Sequence, residues 1–268
     1  MDLADAVGHP AFPSTLESLI RHHAGTVLDI ARESLEREDV LDFAVPNARP
    51  LAPVIPSSIH SFHAFGGPGR GAPGRASPFS ASEMGTVLGP DETVPWPRFT
   101  AAIDFEGQWA CLVGGPGRNL SVSRASSHIF GYVLMIQWMG RDPEPEEAAD
   151  ETAPGRSQRA AALGPWVVTA DEVDTTAVEL TVAVDDEPWG QAASSDMRCG
   201  FSELLACASL DRDVAPGDLL ASGPFPGGRG RDGGRLPGPG STVSLEGTGF
   251  GVLRTRIGPR PAGPPPTG

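Results

Sequence analysis

Short runs of strand-forming residues, cut by Gly, Pro and Asp, recur along the chain from residue 101 to residue 257. Residues 101–114 alternate as a strand, Ser123 to Phe130 suit a short helix, and residues 132–138 read as a strand again. Further strands are expected around 165–169, 177–184, 218–222, 242–246 and 251–257, with turn-forming residues between them. Many short strands with two or three helices are the expected content of the chain.

One helix is marked ahead of the strands. Pro13-Ser14-Thr15-Leu16-Glu17 reads as a helix start with a capping box, Ser14 as N-cap and Glu17 three residues on. Leu16, Leu19, Ile20, Val27, Ile30, Ala31 and Leu35 then recur at helical spacing to about Arg37, an apolar stripe suited to docking or pairing. Residues 46–60 hold Pro46, Pro50, Pro53 and Pro56 and read as an extended linker. Residues 1–45 are thus expected as a helical extension, 46–257 as the core domain and 258–268, rich in Pro and Gly, as a flexible tail. Residues 66–78, GGPGRGAPGRASP, read either as a mobile segment or as a lid over a pocket. The acidic, apolar-poor stretch Pro143 to Gln158 is expected to be disordered or a surface excursion.

At 268 residues the chain is ample for a real core, and its formal charge of -14 argues against nucleic acid or an anionic membrane as partner. Cys111, Cys199 and Cys207 have neither disulfide-framework nor zinc spacing. The first residues, MDLADAVGHPAFPS, show no basic and apolar export leader, and no run of about 18 apolar residues occurs. A cytoplasmic location without membrane contact is the expectation.

Several segments carry a family resemblance. Asp104-Phe105-Glu106-Gly107-Gln108-Trp109-Ala110, Gly117-Arg118-Asn119, Gly131-Tyr132 and Arg141-Asp142 follow one another. After them come Gly164-Pro165-Trp166-Val167-Val168-Thr169-Ala170-Asp171-Glu172, Phe201-Ser202-Glu203-Leu204-Leu205, Pro216-Gly217-Asp218-Leu219-Leu220-Ala221-Ser222-Gly223 and the closing stretch Gly247 to Ile257. In this order they resemble the fumarylacetoacetate hydrolase family, whose core reads roughly D-Y-E-x-E, G-R-N, G-Y-T-x-x-N-D-x-S-A-R-D, G-P-W-x-V-T-x-D-E, F-S-x-L-L and P-G-D-L-L-A-S-G. The resemblance implies an α+β, mainly β fold, a β-sandwich roll with an added N-terminal helix, usually a homodimer. It also implies a pocket where residues 101–114 and 132–142 meet the loop Ser222-Gly223-Pro224. Members of the family cleave or decarboxylate β-diketo acids, tautomerise oxaloacetate-like compounds, or hydrate dienoic acids, with magnesium or manganese held by four carboxylates.

At the positions of those four carboxylates stand Ser61, Glu106, Gln108 and Gln137. One carboxylate against a doubly charged ion predicts weak binding, so no metal cofactor is expected, with Glu106 the ligand if any is held. The position of the family's catalytic His falls on Pro68, which cannot act as a base. Its acidic partner would fall in the Gly227 to Gly234 loop, where Asp232 is the acidic residue. The chain contains no lysine, which excludes Schiff-base chemistry.

Candidate catalytic residues are Glu106 as acid or base, Arg141 and His63. Arg141 either contacts a substrate carboxylate or carbonyl, as the resemblance implies, or pairs with Asp142 or Glu106. His60 and His63 have metal-like spacing, yet an extended segment sends residues three apart to opposite faces. Gln108 and Gln137 either bond locally or, with Arg141, stabilise an enolate without a metal. Trp138, Ser222 and Pro224 complete the candidate substrate-binding set, while Tyr132, Trp109 and Trp166 read as packing. The expected function is metal-independent isomerisation or cyclisation of a small enolisable carbonyl or dicarbonyl compound in bacterial specialised metabolism. A catalytically inactive binding or partner subunit and a residual metal-dependent hydrolase of β-diketo acids remain as alternatives.

Overall fold

The computed structural model describes Val7 and residues 15–39, 48–65, 80–82, 85–98, 100–140 and 158–263. Helix α1, Leu16–Leu35, precedes strands β1 Ser58–Ser61, β2 Ser80–Ser82, β3 Thr86–Leu88, β4 Thr93–Val94, β5 Ile103–Val113 and β6 Ile129–Gly140, with the single turn α2, Val122–Ala125, between the last two. Then come β7 Gln158–Thr169, β8 Glu179–Val184, β9 Glu187–Ala193, helix α3 Phe201–Ala208, and strands β10 Asp218–Ala221, β11 Thr242–Gly247 and β12 Gly251–Ile257. Seven strands form one sheet in the order β2-β1-β10-β5-β6-β7-β3, and five form the other, β4-β12-β11-β8-β9. The mainly β, α+β expectation holds.

Two apolar layers explain why the central strands tolerate so few exposed positions. β5 and β6 pair antiparallel with Phe105 opposite Trp138 and Glu106 opposite Gln137. Because side chains alternate along a strand, Phe105, Trp109, Cys111, Leu134, Ile136 and Trp138 share one face and join Leu180, Val182, Val243, Leu245 and Leu253 of the second sheet in one core. The opposite face supplies Ala110, Leu112, Val133 and Met135, buried with Leu19 and Ile20 of α1 and with Val54 and Ile59. Followed along β5 from Leu112 toward Ile103, this helix-facing side changes from apolar residues to Gln108, Glu106 and Asp104. That change of polarity places the site.

Helix α1 is docked within the chain. Its N-cap is Thr15, whose hydroxyl accepts from the Ser18 N–H at 3.2 Å, while the expected cap Ser14 lies outside the described residues. Glu17, expected to close a capping box, instead accepts from the Ile55 N–H at 2.5 Å, and the Arg21 guanidinium donates to Ser57 Oγ at 2.7 Å. These bonds tie the helix to the segment that enters β1. Residues 46–60 were expected as a linker, yet Ser58–Ser61 form β1 inside the large sheet, parallel to β10.

Other departures have local causes. The helix expected over 123–130 stops at Ala125 and tightens into a 3-10 turn, Ser126–His128. Ser126 and Ser127 donate to the carbonyls of Ser123 and Arg124 and so compete with further helix, and Ile129 and Phe130 already belong to β6. Strand β9 follows a turn in which Asp185 and Asp186 both take positive φ, 50° and 65°, the tight-hairpin geometry more often marked by Asn-Gly. Trp166, expected to pack internally, is 52% exposed and rests against Gly251.

Candidate functional site

The polar cluster is built across three strands and one loop. Gln108 is fully buried, and its carboxamide nitrogen donates to Glu106 Oε2 at 3.0 Å and to Gln137 Oε1 at 2.7 Å. Ser61, at the end of β1, donates to the same Gln137 oxygen at 3.4 Å. Glu106 is 12% exposed and lies opposite Gln137 in the β5–β6 register. Asp104, on the same face two residues earlier, is fully buried, and its Oδ1 accepts the Phe105 N–H at 2.8 Å.

The fourth component is the segment after β10. The Gly107 N–H donates to the Gly228 carbonyl at 2.8 Å, and Arg229 forms an isolated bridge with Glu106. A Cβ on Gly190 would lie 2.1 Å from the Gly227 carbonyl oxygen, so β9 admits this loop only because residue 190 is glycine. Asp232 accepts the Gly227 N–H at 3.0 Å and holds the turn. The result is that Arg229 Nε stands 3.7 Å from Glu106 Oε1.

Electrostatics sets the direction of the carboxamides. An ionised Glu106 accepts only, so Gln108 must turn its NH₂ group toward it, and Gln137 must then present its oxygen to Gln108. This orientation leaves Gln108 Oε1 buried without a partner, a penalty of about 1–3 kcal/mol that the contact with a charged carboxylate offsets. It also leaves the Gln137 nitrogen without a hydrogen bond among the described residues.

The family's chemistry implies a divalent cation here, and these residues do not fit one. Magnesium and manganese take charged oxygens, whereas the four positions supply one carboxylate, two carboxamides and one hydroxyl. The Gln108 N–H groups point at the two oxygens a cation would need, and a guanidinium stands beside Glu106. Among the described residues no grouping of three or more His, Cys, Asp or Glu side chains could hold a metal ion.

The remaining candidates scatter. Strand alternation sends Trp138, 1% exposed, to the face opposite Gln137, where its ring packs against Phe105 at 6.0 Å between centroids; it lines the core and not the cluster. The buried Ser222 hydroxyl accepts from the Trp109 N–H at 3.1 Å and donates to the Gly223 carbonyl at 2.7 Å, so it serves as a backbone pin instead of a ligand contact. Pro224 is buried one residue further on. Gly223 takes φ +77°, and a Cβ there would lie 1.8 Å from the Phe62 carbonyl oxygen, which holds this loop against the segment leading to His63.

His63 is exposed just beyond β1, while His60 is buried, its Nε2 2.8 Å from Ser58 Oγ, which donates to Asp218 at 2.7 Å. Arg141, Pro68, the glycine-rich segment 66–78 and the acidic stretch 143–157 lie outside the described residues. Arg229 was missed: it sits in a Gly/Arg-rich run without periodicity, and its approach to Glu106 is a tertiary contact.

Comparison with known proteins agrees with the geometry. The family model for the fumarylacetoacetate (FAA) hydrolase C-terminal domain matches residues 70–258. A maleylpyruvate hydrolase of Aquipseudomonas alcaligenes is 31% identical over 121 residues, 45% of this chain and 40% of that protein. An uncharacterized Pyrococcus abyssi protein is 26% identical over 145 residues, 53% of this chain and 64% of that one, so the chain spans less than two thirds of the curated relatives it matches. Among solved structures, the fumarylacetoacetate hydrolase of Exiguobacterium antarcticum superposes with a TM-score of 0.74 at 21% identity, covering 96% of this chain and 91% of that chain, which speaks for the fold. With the family model matched over residues 70–258, more than half of its length, the chain belongs to the fumarylacetoacetate hydrolase family.

Proposed function

We propose that the protein binds a small enolisable carbonyl compound and isomerises or cyclises it without a metal, with Glu106 moving the proton. The observation that carries this reading is the Gln108 nitrogen spanning Glu106 and Gln137 at 3.0 and 2.7 Å. With both Gln108 N–H groups engaged in this way, the Gln137 carboxamide is turned oxygen-inward and its nitrogen keeps N–H donors without an acceptor among the described residues, which can stabilise a developing enolate oxygen by hydrogen bonding where the family's chemistry implies a cation.

The reaction needs no co-reactant. Glu106 takes a proton from the carbon next to the carbonyl, and the electron pair of that C–H bond moves onto the carbonyl oxygen. Return of the proton to another carbon completes an isomerisation. Attack of the enolate carbon on a second carbonyl carbon forms the C–C bond of a cyclisation, and the proton then goes to the new alkoxide. Glu106 is 12% exposed, open enough to meet a ligand and buried enough to exclude most water.

The fold is one that a protein named as an isomerase also has. A solved 5-carboxymethyl-2-hydroxymuconate delta-isomerase from Mycobacterium smegmatis has the same fold, with a TM-score of 0.68 at 23% identity and coverage of 80% of this chain and 83% of that chain. The test is solvent deuterium exchange into small 2-oxo and 1,3-dicarbonyl acids, followed by turnover assays on compounds that exchange. Glu106→Gln is expected to lower the exchange rate by about 10²–10⁴-fold, and EDTA to leave it unchanged. Exchange that vanishes with EDTA and returns with manganese would overturn the reading.

A further inference from the structure

We propose that Arg229 is the fixed cation of this site, and that the ligand seats a carboxylate or enolate oxygen on its guanidinium. The assignment rests on reading the Glu106 cluster as a ligand site and adds the residue that selects an anion.

The Arg229 side chain is 21% exposed, and its contact with Glu106 is 3.7 Å, outside hydrogen-bond range. Among the described residues its guanidinium makes no hydrogen bond. The guanidinium's N–H donors, set in one plane, therefore have no acceptor among the described residues and stand partly open, where an incoming ligand can meet them. A carboxylate fits that fork two-pronged. Glu106 does not fill the role, since its Oε2 is engaged by Gln108 and its Oε1 stands off.

The backbone that carries the guanidinium is also held in place. The bridge between Arg229 and Glu106 and the Gly107–Gly228 hydrogen bond fasten the loop backbone to β5, and the Asp232 contact at Gly227 closes the loop on itself. The nearby Gln137 nitrogen adds a donor that has no acceptor among the described residues. Arg229 offsets the charge of Glu106, so even with Asp104 on the same face an anion approaching the pair meets less repulsion than four bare carboxylates would exert.

The experiment is titration calorimetry of the full chain in EDTA with oxalate, a planar anion shaped like an enolised 2-oxo acid, and with oxamide, its neutral isostere. Oxalate is expected to bind and oxamide not. Arg229→Gln is expected to weaken oxalate by about tenfold or more, with Arg229→Lys restoring part of the loss. Glu106→Gln, which removes the competing carboxylate, is expected to bind oxalate more tightly than the wild type. Thermal unfolding without ligand confirms that each variant is folded. Undiminished oxalate binding by Arg229→Gln, or no oxalate binding by the wild type either in EDTA or with manganese added, would overturn the assignment. Binding that requires manganese yet is still lost in Arg229→Gln would sink the metal-free chemistry and keep Arg229 as the anion-holding residue.

Discussion

Glu106 and Gln108 stand two residues apart on β5, so alternation alone puts both on one face. A glutamate at 108 would oppose Glu106 and call for a cation between them. The glutamine turns its nitrogen inward at 3.0 and 2.7 Å and makes the cluster cohere by hydrogen bonding. Elsewhere a single residue controls a pH response. Burial pushes the His60 pKa below its ordinary value of 6.5, with Arg212 adding to the shift and Asp218 opposing it. The folded chain therefore binds fewer protons at this ring than the unfolded chain does, so this contribution to stability is complete above about pH 6.5 and is lost as the pH falls through the depressed folded value. Urea midpoints of the wild type are expected to fall from pH 7 toward pH 5, and His60→Asn to flatten that slope. Equal slopes in both proteins would show that His60 is not the group responsible.

Helix α1 shows how an element's role depends on what lies beneath it. Its apolar stripe reads as a docking surface, and Leu19 and Ile20 are spent on the helix-facing side of the large sheet, beside Val54, Ile59, Ala110 and Leu112. Ile20 is 2% exposed, and Ile20→Ala is expected to cost about 2–5 kcal/mol in urea denaturation, the range for removing a buried branched side chain and leaving a cavity. A loss below about 0.5 kcal/mol, the level of an ordinary surface change, would mean that the helix is not a structural layer. The glycine-rich loop after β10 depends on its surroundings in the same way: Gly190 gives Gly227 room, and Arg229 reaches Glu106 as a consequence.

Across the molecule, β5 and β6 contribute to both apolar layers, one shared with the second sheet and one with α1. Neither layer can come apart without exposing strands that the other needs. Far-ultraviolet dichroism and tryptophan fluorescence are therefore expected to report one coincident unfolding transition. Two separated midpoints would show that the helix layer and the sandwich melt independently.

The strand runs, the turns between them and the ordered family segments could be read from residues alone, because alternation, turn chemistry and motif order are local properties of a chain. The poverty of carboxylates at Ser61, Glu106, Gln108 and Gln137 was equally plain, being a matter of which side chains are present. What folding added was the choice of face and of neighbour. Alternation separates Gln137 from Trp138, but only the covering layers decide that the glutamine side is polar and the tryptophan side is core. Arg229 comes to Glu106 from a loop far along the chain without periodicity, through backbone pairing and close glycine contacts that no local pattern encodes.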